Sequence, residues 1–366
     1  MTVFPTPRPG ILDIAPYVGG ESTVPGVNRI TKLASNEGAF GPSPKAVEAM
    51  HAAALTAHRY PDGGCHALRR ALAAAFALDA ERIVCGAGSD ELLTLLARAY
   101  AGPGDEVLYT VHGFLIYPIA AQGAGATPIA VPERDLRADV DALLAAATPA
   151  TRIVYIANPN NPTGTYLPAS EMRRLREGLP PAVLLVVDAA YAEYVAASDY
   201  ETGIDLVDDF ANVVVTRTFS KIYGLGGARL GWAYGPPAVI DVLNRLRNPF
   251  NVPSLAQAAG IAALADQAFV ERAREHNHQW RAWTADALRN LGLVVPESHC
   301  NFLLVRFPTS PDRDAIAADT YLKRRGIIVR RMTSYRLPDC LRITIGLEDD
   351  MRACVAAITD FLGGSA

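Results

Sequence analysis

Hydrophobic positions recur with two different periods along the chain. Residues 66–78 and 91–100 carry leucine and alanine at a spacing of three and four, which predicts amphipathic helices. Four shorter segments are apolar at almost every position and predict strands buried on both faces: residues 106–110, 153–157, 182–187 and 213–217. Because helical and strand-like segments alternate, we expect a doubly wound α/β fold with a mostly parallel sheet between helices.

The two ends of the chain have a different pattern. A long helical stretch, residues 254–290, is followed by a mixture of strand-like segments (302–307, 327–330 and 341–345) and one helical segment (313–325). This mixture predicts a smaller α+β domain, and the proline- and glycine-rich first 30 residues predict an irregular arm. We therefore expect a large domain over residues 45–260, with the arm and small domain formed by residues 1–44 and 261–366.

Size and charge narrow the class of protein. A chain of 366 residues, half of them hydrophobic, can fill the cores of two domains. A net charge of −4 gives no basis for binding nucleic acid or an anionic membrane. The most apolar run, residues 182–187, is too short to span a bilayer, and the first residues lack the pattern of a secretory signal. The five cysteines form no CxxC pair, so we expect reduced thiols, no metal site and a cytoplasmic location.

Polar segments follow three of the predicted strands. PNNPTG (159–164) comes after the second, Asp188 and Tyr191 come after the third, and Thr218-Phe-Ser-Lys221 comes at the end of the fourth. A further turn, Gly86-Ala-Gly-Ser-Asp90, opens the helix at residue 91. Open parallel sheets bind ligands at the carboxyl ends of their strands. The sequence therefore predicts that these segments meet in one crevice.

The segment around Lys221 gives the most specific chemical indication. Most lysines are surface residues, but a lysine at the end of a buried strand is costly unless it has a partner or a function. Thr218 and Ser220 precede it and Arg229 follows, and hydroxyls with a guanidinium form an anion site suited to phosphate. An amine beside a phosphate site is what a Schiff base with pyridoxal phosphate (PLP) requires.

The neighbouring segments allow two interpretations each. Asp188 is either a turn or cap residue, or a carboxylate that faces the pyridine nitrogen of the cofactor. Tyr191 is either a half-buried aromatic or a hydrogen-bond donor to the cofactor ring. The turn before residue 91 is suited to aim backbone N–H groups at a phosphate. Because Asp90 and Glu91 would repel a phosphate, we expect both carboxylates to be turned away from it.

Taken together, these segments resemble the fold-type I PLP-dependent transferases, and specifically the histidinol-phosphate aminotransferase family. The resemblance extends from Tyr17 to the end of the chain. It is carried by KLASNE (32–37), GPSPKA (41–46), HRYPDGG (58–64), GAGSDELL (86–93), PNNPTG (159–164), VVDAAYAEY (186–194), TFSK (218–221), ARLGW (228–232) and LRITIG (341–346). It implies a large domain with a mostly parallel seven-stranded sheet between helices, and a smaller α+β domain.

The resemblance also implies roles for residues around the cofactor. Lys221 matches the Schiff-base lysine that moves the substrate proton, Asp188 the partner of the ring nitrogen, and Phe114 the aromatic that stacks on the ring. Tyr191 and Asn161 match donors to the ring hydroxyl. The phosphate-binding positions are Gly88, Ser89, Asp90, Thr218, Ser220 and Arg229. Tyr60 matches a tyrosine that reaches the cofactor phosphate of the neighbouring subunit, which implies an obligate homodimer.

Residues at substrate-binding positions follow from the same resemblance. Arg342 matches the arginine that binds the carboxylate and the substrate phosphate, and Arg330 and Tyr17 match contacts to the phosphate end; Asn36 and Tyr117 complete the set. The implied reaction transfers the amino group of L-histidinol phosphate to 2-oxoglutarate, giving imidazole-acetol phosphate and glutamate in histidine biosynthesis. The alternatives are an aromatic amino-acid aminotransferase, a PLP-dependent decarboxylase of a phosphorylated amino acid, and a non-catalytic relative, against which Lys221, Asp188 and Tyr191 together argue.

Three segments depart from the family pattern. They are Gly38-Ala39-Phe40 after the Asn-Glu pair, Val111-His-Gly-Phe114 in place of a proline-containing turn, and Arg336 where glycine is common. All three lie near the substrate end of the expected site. They bear on the choice of substrate rather than on the cofactor chemistry.

Overall fold

A seven-stranded sheet crosses the middle of the protein, for which the computed structural model describes residues 5–27 and 29–363. Its strand order is β2-β10-β9-β8-β7-β3-β4; β10 runs antiparallel to both its neighbours and the other pairs are parallel. The strands of the chain are β1 Thr31–Lys32, β2 Ile83–Gly86, β3 Glu106–Thr110, β4 Thr127–Val131, β5 Glu133–Arg134, β6 Arg137–Ala138, β7 Thr151–Ala157, β8 Leu184–Asp188, β9 Val213–Thr218, β10 Gly231–Tyr234, β11 Phe302–Arg306, β12 Ile327–Ile328, β13 Arg330–Arg331 and β14 Cys340–Thr344. The expected α/β fold with a mostly parallel seven-stranded sheet is confirmed.

Helices cover both faces of this sheet, and other helices pack against a second, smaller sheet of three strands. They are α1 Pro44–Ala54, α2 His66–Phe76, α3 Ser89–Tyr100, α4 Ile116–Ala124, α5 Val140–Ala146, α6 Ala169–Gly178, α7 Ile204–Asp209, α8 Pro237–Leu246, α9 Ser254–Leu264, α10 Gln267–Asn290, α11 Ala315–Arg324 and α12 Glu348–Leu362. Several begin at local signals: the Ser43 hydroxyl accepts the Ala46 N–H, and Asp139 and Asp314 cap α5 and α11 in the same way. In the part of the chain that the structure describes, no helix is both long and apolar enough to cross a membrane.

The long helical stretch expected over residues 254–290 consists of two helices, α9 and α10. Asp266 leaves the helical conformation, with φ −102° and ψ 59°, and its carboxylate pairs with Lys45 at 3.3 Å. The chain turns there, because α9 packs on α1 and α2 while α10 packs on α12. The expected stretch is therefore helical on both sides of a break at Asp266, with bounds that match the expectation.

The central strands bury side chains on both faces, as their continuous apolar pattern predicts. Valines and leucines of β7, β8 and β9 alternate between two hydrophobic clusters, one on each side of the sheet. In the parallel register, Ala157 lies opposite Asp188, and Asp188 lies opposite Thr216. The polar residues that end these strands are therefore held at one edge of the sheet.

A second sheet, of three antiparallel strands in the order β11-β14-β13, packs against α10, α11 and α12 around its own hydrophobic cluster. We call the residues from β11 to α12 the small-sheet part. β1 pairs in parallel with β12, which ties the chain before α1 to this part. In the register of β13 and β14, Arg330 lies opposite Arg342.

The beginning of the chain is an arm that crosses the surface between the two sheets. Residues 5–27 are irregular except for a short 3-10 turn at Ile11–Asp13. Arg8 donates to the Gly123 carbonyl at 2.6 Å, and Lys323 of α11 pairs with Glu21 at 2.8 Å. Of the predicted arm and small domain, residues 1–4, Asn28 and 364–366 lie outside the described residues.

Candidate active site

A cavity of about 320 Å³ opens at the carboxyl edge of the large sheet, facing the small-sheet part. The segments expected to converge do so. The predicted site residues that line it are Tyr17, Asn36, Ser89, Asp90, Phe114, Asn161, Asp188, Tyr191, Thr218, Ser220, Lys221, Arg229, Arg330 and Arg342. Gly88 is not a lining residue, but it directly precedes Ser89, which is one. Tyr60 and Tyr117 do not line the cavity.

Lys221 lies three residues after the end of β9, and its side chain lines this cavity. Its side chain faces the cavity but is surrounded by protein, and its Nζ lies 5.6 Å from the centre of the Tyr191 ring. Burial, and then the positive charge of Arg342, lower the pKa of Lys221 to about 8. An appreciable fraction of the amine is therefore neutral near physiological pH, which is the form that acts as nucleophile or base.

Asp188, the last residue of β8, presents a buried carboxylate to the same cavity. The Tyr117 hydroxyl donates to its Oδ2 at 2.9 Å and the Thr216 hydroxyl to its Oδ1 at 3.4 Å. Burial raises the pKa of Asp188 to about 6, although these two donors oppose the shift. Among the described residues, no cationic side chain forms an ion pair with this carboxylate. The cavity therefore has a place for a positively charged group beside Asp188.

Tyr117 is placed differently from the prediction, which assigned it to the substrate. The residue is 1% exposed, and its ring stacks on Tyr155 with centroids 4.8 Å apart. It does not line the cavity, because the first turn of α4 directs it into the core behind Asp188. Its contact is with the carboxylate rather than with a substrate.

The end of the cavity formed by the start of α3 and by Arg229 is suited to a phosphate. Gly88 has a φ of +86°, and a Cβ there would lie 2.4 Å from the Arg229 guanidinium. Ser89 begins α3, so the first N–H groups of that helix face the same place. Arg229 is within 3.5 Å of the Ser220 hydroxyl, and hydroxyls, a helix N-terminus and a guanidinium together suit a phosphate dianion.

The two acidic residues of the α3 turn behave differently from each other. Glu91 is turned away, and its Oε2 accepts from the Ala87 N–H at 2.6 Å and from Asn251 at 2.7 Å. Asp90 lines the cavity, and its carboxylate lies 3.3 Å from Arg229. The expectation that both carboxylates turn away was therefore wrong for Asp90, whose charge Arg229 offsets.

Further hydrogen bonds connect residues that line the cavity to one another. Asn36 donates from Nδ2 to the Tyr191 hydroxyl at 2.8 Å, and burial raises the pKa of Tyr191, so the phenol stays protonated. Arg342 donates to Asn161 Oδ1 at 2.5 Å and to the Ala34 carbonyl at 2.8 Å. The Arg342 Nε is buried and has no partner within the described residues.

Two guanidinium groups stand at the small-sheet side of the cavity. Arg330 lies opposite Arg342 on the neighbouring strand and donates to the Val18 carbonyl of the arm at 2.6 Å. Tyr17 packs edge-to-face on Phe114, with centroids 6.3 Å apart. This side of the cavity therefore combines aromatic rings with positive charge.

Tyr60 does not line the cavity of its own chain. It is 83% exposed and stacks on Phe250 with centroids 4.7 Å apart.

The lining of the cavity also includes residues that were not singled out from the sequence: Gly19, Gly20, Ala34, Ser35, Glu37, Ala157, Pro159, Ala190 and Gly226. The KLASNE motif was the available signal for residues 34–37.

One cavity at the edge of this sheet is lined by an amine, a buried carboxylate with no cationic partner among the described residues, and a phosphate-type anion site, the groups that a PLP-dependent enzyme requires. Together with the family match, they place the chain in the class of PLP-dependent aminotransferases of fold type I. The family model of aminotransferase class I and II matches residues 28–358. The histidinol-phosphate aminotransferases of Paramagnetospirillum magneticum and Rhodospirillum centenum are each 62% identical to the chain and align with 98% of it and 99% of their own length.

Solved structures agree with the sequence comparisons. Histidinol-phosphate aminotransferase from Sinorhizobium meliloti, in complex with pyridoxal-5'-phosphate, has a TM-score of 0.89 and 30% identity over 99% of both chains. The chain belongs to the histidinol-phosphate aminotransferase family within the class I and II aminotransferases. Its cofactor is pyridoxal phosphate, as the sequence predicts.

Proposed function

We propose that this chain transfers the amino group of L-histidinol phosphate to 2-oxoglutarate, giving imidazole-acetol phosphate and glutamate in histidine biosynthesis. The observation that carries the proposal is the pair Arg330 and Arg342, which lie opposite each other on β13 and β14 and both line the cavity. A guanidinium group can bind either a phosphate or a carboxylate with two parallel hydrogen bonds, so one pocket can accept the donor and the acceptor by turns. The names of the relatives support the same donor.

Each residue of the cavity has a task in this reaction. When bound, pyridoxal phosphate supplies an aldehyde that joins amines and a ring that accepts the electron pair left on the donor's α-carbon. The lowered pKa of Lys221 lets its amine remove and return the α-proton near neutral pH. Asp188 would place a negative charge against the cofactor's ring nitrogen, and the Tyr117 hydroxyl holds that carboxylate in position.

The remaining residues would bind the phosphate and the ring of the cofactor. The cofactor's phosphate would be bound by Ser89, Thr218, Ser220 and Arg229 with the first N–H groups of α3, and Gly88 leaves the room that Arg229 needs. Tyr191 and Asn161, held by Asn36 and Arg342, would bind the cofactor ring, and Phe114, which lines the same cavity, would pack on it.

A donor panel tests the substrate. We expect kcat/KM for L-histidinol phosphate to exceed that for phenylalanine by at least roughly 100-fold, because phenylalanine leaves Arg330 without a phosphate. A preference for phenylalanine would establish an aromatic amino-acid aminotransferase instead. Release of carbon dioxide without a requirement for 2-oxoglutarate would establish a decarboxylase.

Arg330→Ala is expected to separate phosphorylated donors from plain amino acids. Loss of a charge-assisted contact to phosphate should lower kcat/KM for histidinol phosphate roughly 10- to 100-fold and that for phenylalanine less than about 3-fold. The matched control is Arg331→Ala, because Arg331 is the exposed neighbour on the same strand and does not line this cavity. Equal losses for both donors would remove Arg330 from the phosphate site.

We also propose that the enzyme works as a homodimer in which Tyr60 completes the partner's cavity. The support is that Tyr60, within the HRYPDGG motif, is 83% exposed, stacks on the half-exposed Phe250 and does not reach its own cavity. An exposed aromatic pair of this kind is typical of subunit interfaces. Symmetric pairing would place one such tyrosine at each of two cavities.

Mixed dimers test the role of Tyr60 directly. Tyr60→Ala and Lys221→Ala subunits should each be poorly active alone, but co-expressed together they should regain roughly a quarter of the wild-type activity, since half of the dimers then contain one native cavity. Mixing Lys221→Ala with Asp188→Asn is the control, because both residues belong to the same chain's cavity and no native cavity results. Failure of the first mixture to regain activity would contradict the shared site.

We further propose the division into a large domain (45–260) and an arm plus small domain (1–44 and 261–366), with a cytoplasmic location. Separate hydrophobic clusters on the large sheet and in the small-sheet part support the division. All five cysteines are free and buried, which suits a reducing compartment.

A further inference from the structure

His112 makes a hydrogen bond from the large-sheet edge to the small-sheet part. It lies in the turn after β3, within the segment that departs from the family pattern. Its Nδ1 is 2.8 Å from the backbone carbonyl oxygen of Tyr335. A carbonyl oxygen can only accept, so Nδ1 carries the proton in this contact. Tyr335 is buried and ends the 3-10 turn Thr333–Tyr335, just after β13.

Glu133 holds the turn of His112 from the other side. Its Oε1 accepts the backbone N–H of His112 at 3.4 Å and the side-chain amide of Asn160 at 3.3 Å. The other oxygen, Oε2, and the Asn160 Oδ1 are buried acceptors with no partner within the described residues. Burial raises the pKa of Glu133, although its contacts with His112 and Asn160 oppose the shift.

These contacts join segments that each carry a residue of the cavity. The turn of His112 leads to Phe114, and Asn160 precedes Asn161, whose side chain binds Arg342. On the opposite side, the backbone of Tyr335 follows the strand of Arg330. A change in the distance between His112 and Tyr335 therefore changes the gap between the aromatic wall and the two guanidinium groups.

We propose that His112 and Glu133 are a pair of positioning residues that set the width of the cavity at its guanidinium end. Neither side chain lines the cavity, so the pair acts through the residues it holds. The proposal rests on the proposed function in one respect, since the donor that fills this gap is taken to be a phosphate ester. A donor of another kind leaves the positioning itself unchanged.

The test compares His112→Ala with His112→Asn, whose side-chain amide keeps a donor near the place of Nδ1. In the cofactor-loaded dimer without donor, hydrogen exchange of residues 333–337 should be faster in His112→Ala than in wild type, and unchanged in His112→Asn. The KM for histidinol phosphate should rise about fivefold in His112→Ala, as loss of one hydrogen bond implies, with kcat changed less than about twofold. The absorption spectrum of the bound cofactor should not change in either variant.

Glu133 is tested with the same logic. Glu133→Gln keeps the shape and an oxygen that can accept from the His112 N–H and from Asn160, so it should match wild type in exchange and KM, whereas Glu133→Ala should resemble His112→Ala. Equal behaviour of His112→Ala and His112→Asn would overturn the proposal, as would a shifted cofactor spectrum, which would show general damage to the site. If histidinol phosphate proves not to be the donor, the proposed function is wrong. The hydrogen-exchange measurement still shows whether His112 and Glu133 act as positioning residues.

Discussion

Replacing Lys221 with alanine is expected to lower kcat by roughly 10⁴-fold, the upper range for loss of a positioned proton-transfer group. The reason is that, among the described residues, Lys221 is the one lysine that lines the cavity. No other lining residue that the structure describes has an amine to take the proton from the donor's α-carbon. The phosphate-binding residues are untouched, so the variant should still bind pyridoxal phosphate, without a covalent link.

Two measurements separate this outcome from simple unfolding. After reduction with borohydride, mass spectrometry should find the cofactor attached to wild-type protein and missing from Lys221→Ala, while gel filtration should show both proteins eluting at the same size. Lys45→Ala is the control, because that lysine lies on the surface and pairs with Asp266. Wild-type kcat in Lys221→Ala would refute the assignment of the catalytic amine.

The fold was predictable where the pattern is continuous. β3, β7, β8 and β9 are apolar at nearly every position, because helices cover both faces of the sheet, and each was expected close to its observed bounds. β2 and β10 have four residues each, too few to establish a period, and α4 contains a proline and a glycine that obscure its helical pattern. Their formation depends on pairing and packing with distant segments.

The site was predictable to the extent that its residues follow strands. Asp188 and Lys221 follow predicted strands, so the rule that ligands bind at carboxyl ends places both in one cavity. Tyr117 was misplaced because its position on α4 does not reveal which way the ring points. Asp90 turned toward the cavity because Arg229, more than a hundred residues away in sequence, offsets its charge.

Asp188→Asn is expected to lower kcat by roughly 10²- to 10³-fold, the scale of losing one preorganised electrostatic contact. Asparagine can keep the hydrogen bond from Tyr117 but has no negative charge to stabilise a protonated ring nitrogen. The cofactor should therefore remain bound while the α-proton is removed more slowly. A primary deuterium isotope effect on kcat, measured with α-deuterated donor, should increase in the variant.

The same substitution should stabilise the cofactor-free protein. The pKa of Asp188 is raised by burial to about 6 from 3.8, so the folded chain binds this proton more tightly than the unfolded chain does. The cost of the buried charge is therefore fully present above pH 6 and is relieved as the pH falls toward 4. Without cofactor, Asp188→Asn should be more stable than wild type at pH 7 to 8 by up to about 3 kcal/mol, and the difference should vanish near pH 4.

Thermal unfolding across this pH range, with the exposed Asp312→Asn as control, distinguishes a charge held for function from one held for stability. When pyridoxal phosphate is added, wild type should become more stable than Asp188→Asn, because wild type gains a cationic partner for its carboxylate and the variant has no carboxylate there. A cofactor-free variant less stable than wild type at pH 8 would mean that Asp188 already has its counter-charge within the protein. The space beside it would then have no electrostatic reason to receive a protonated ring.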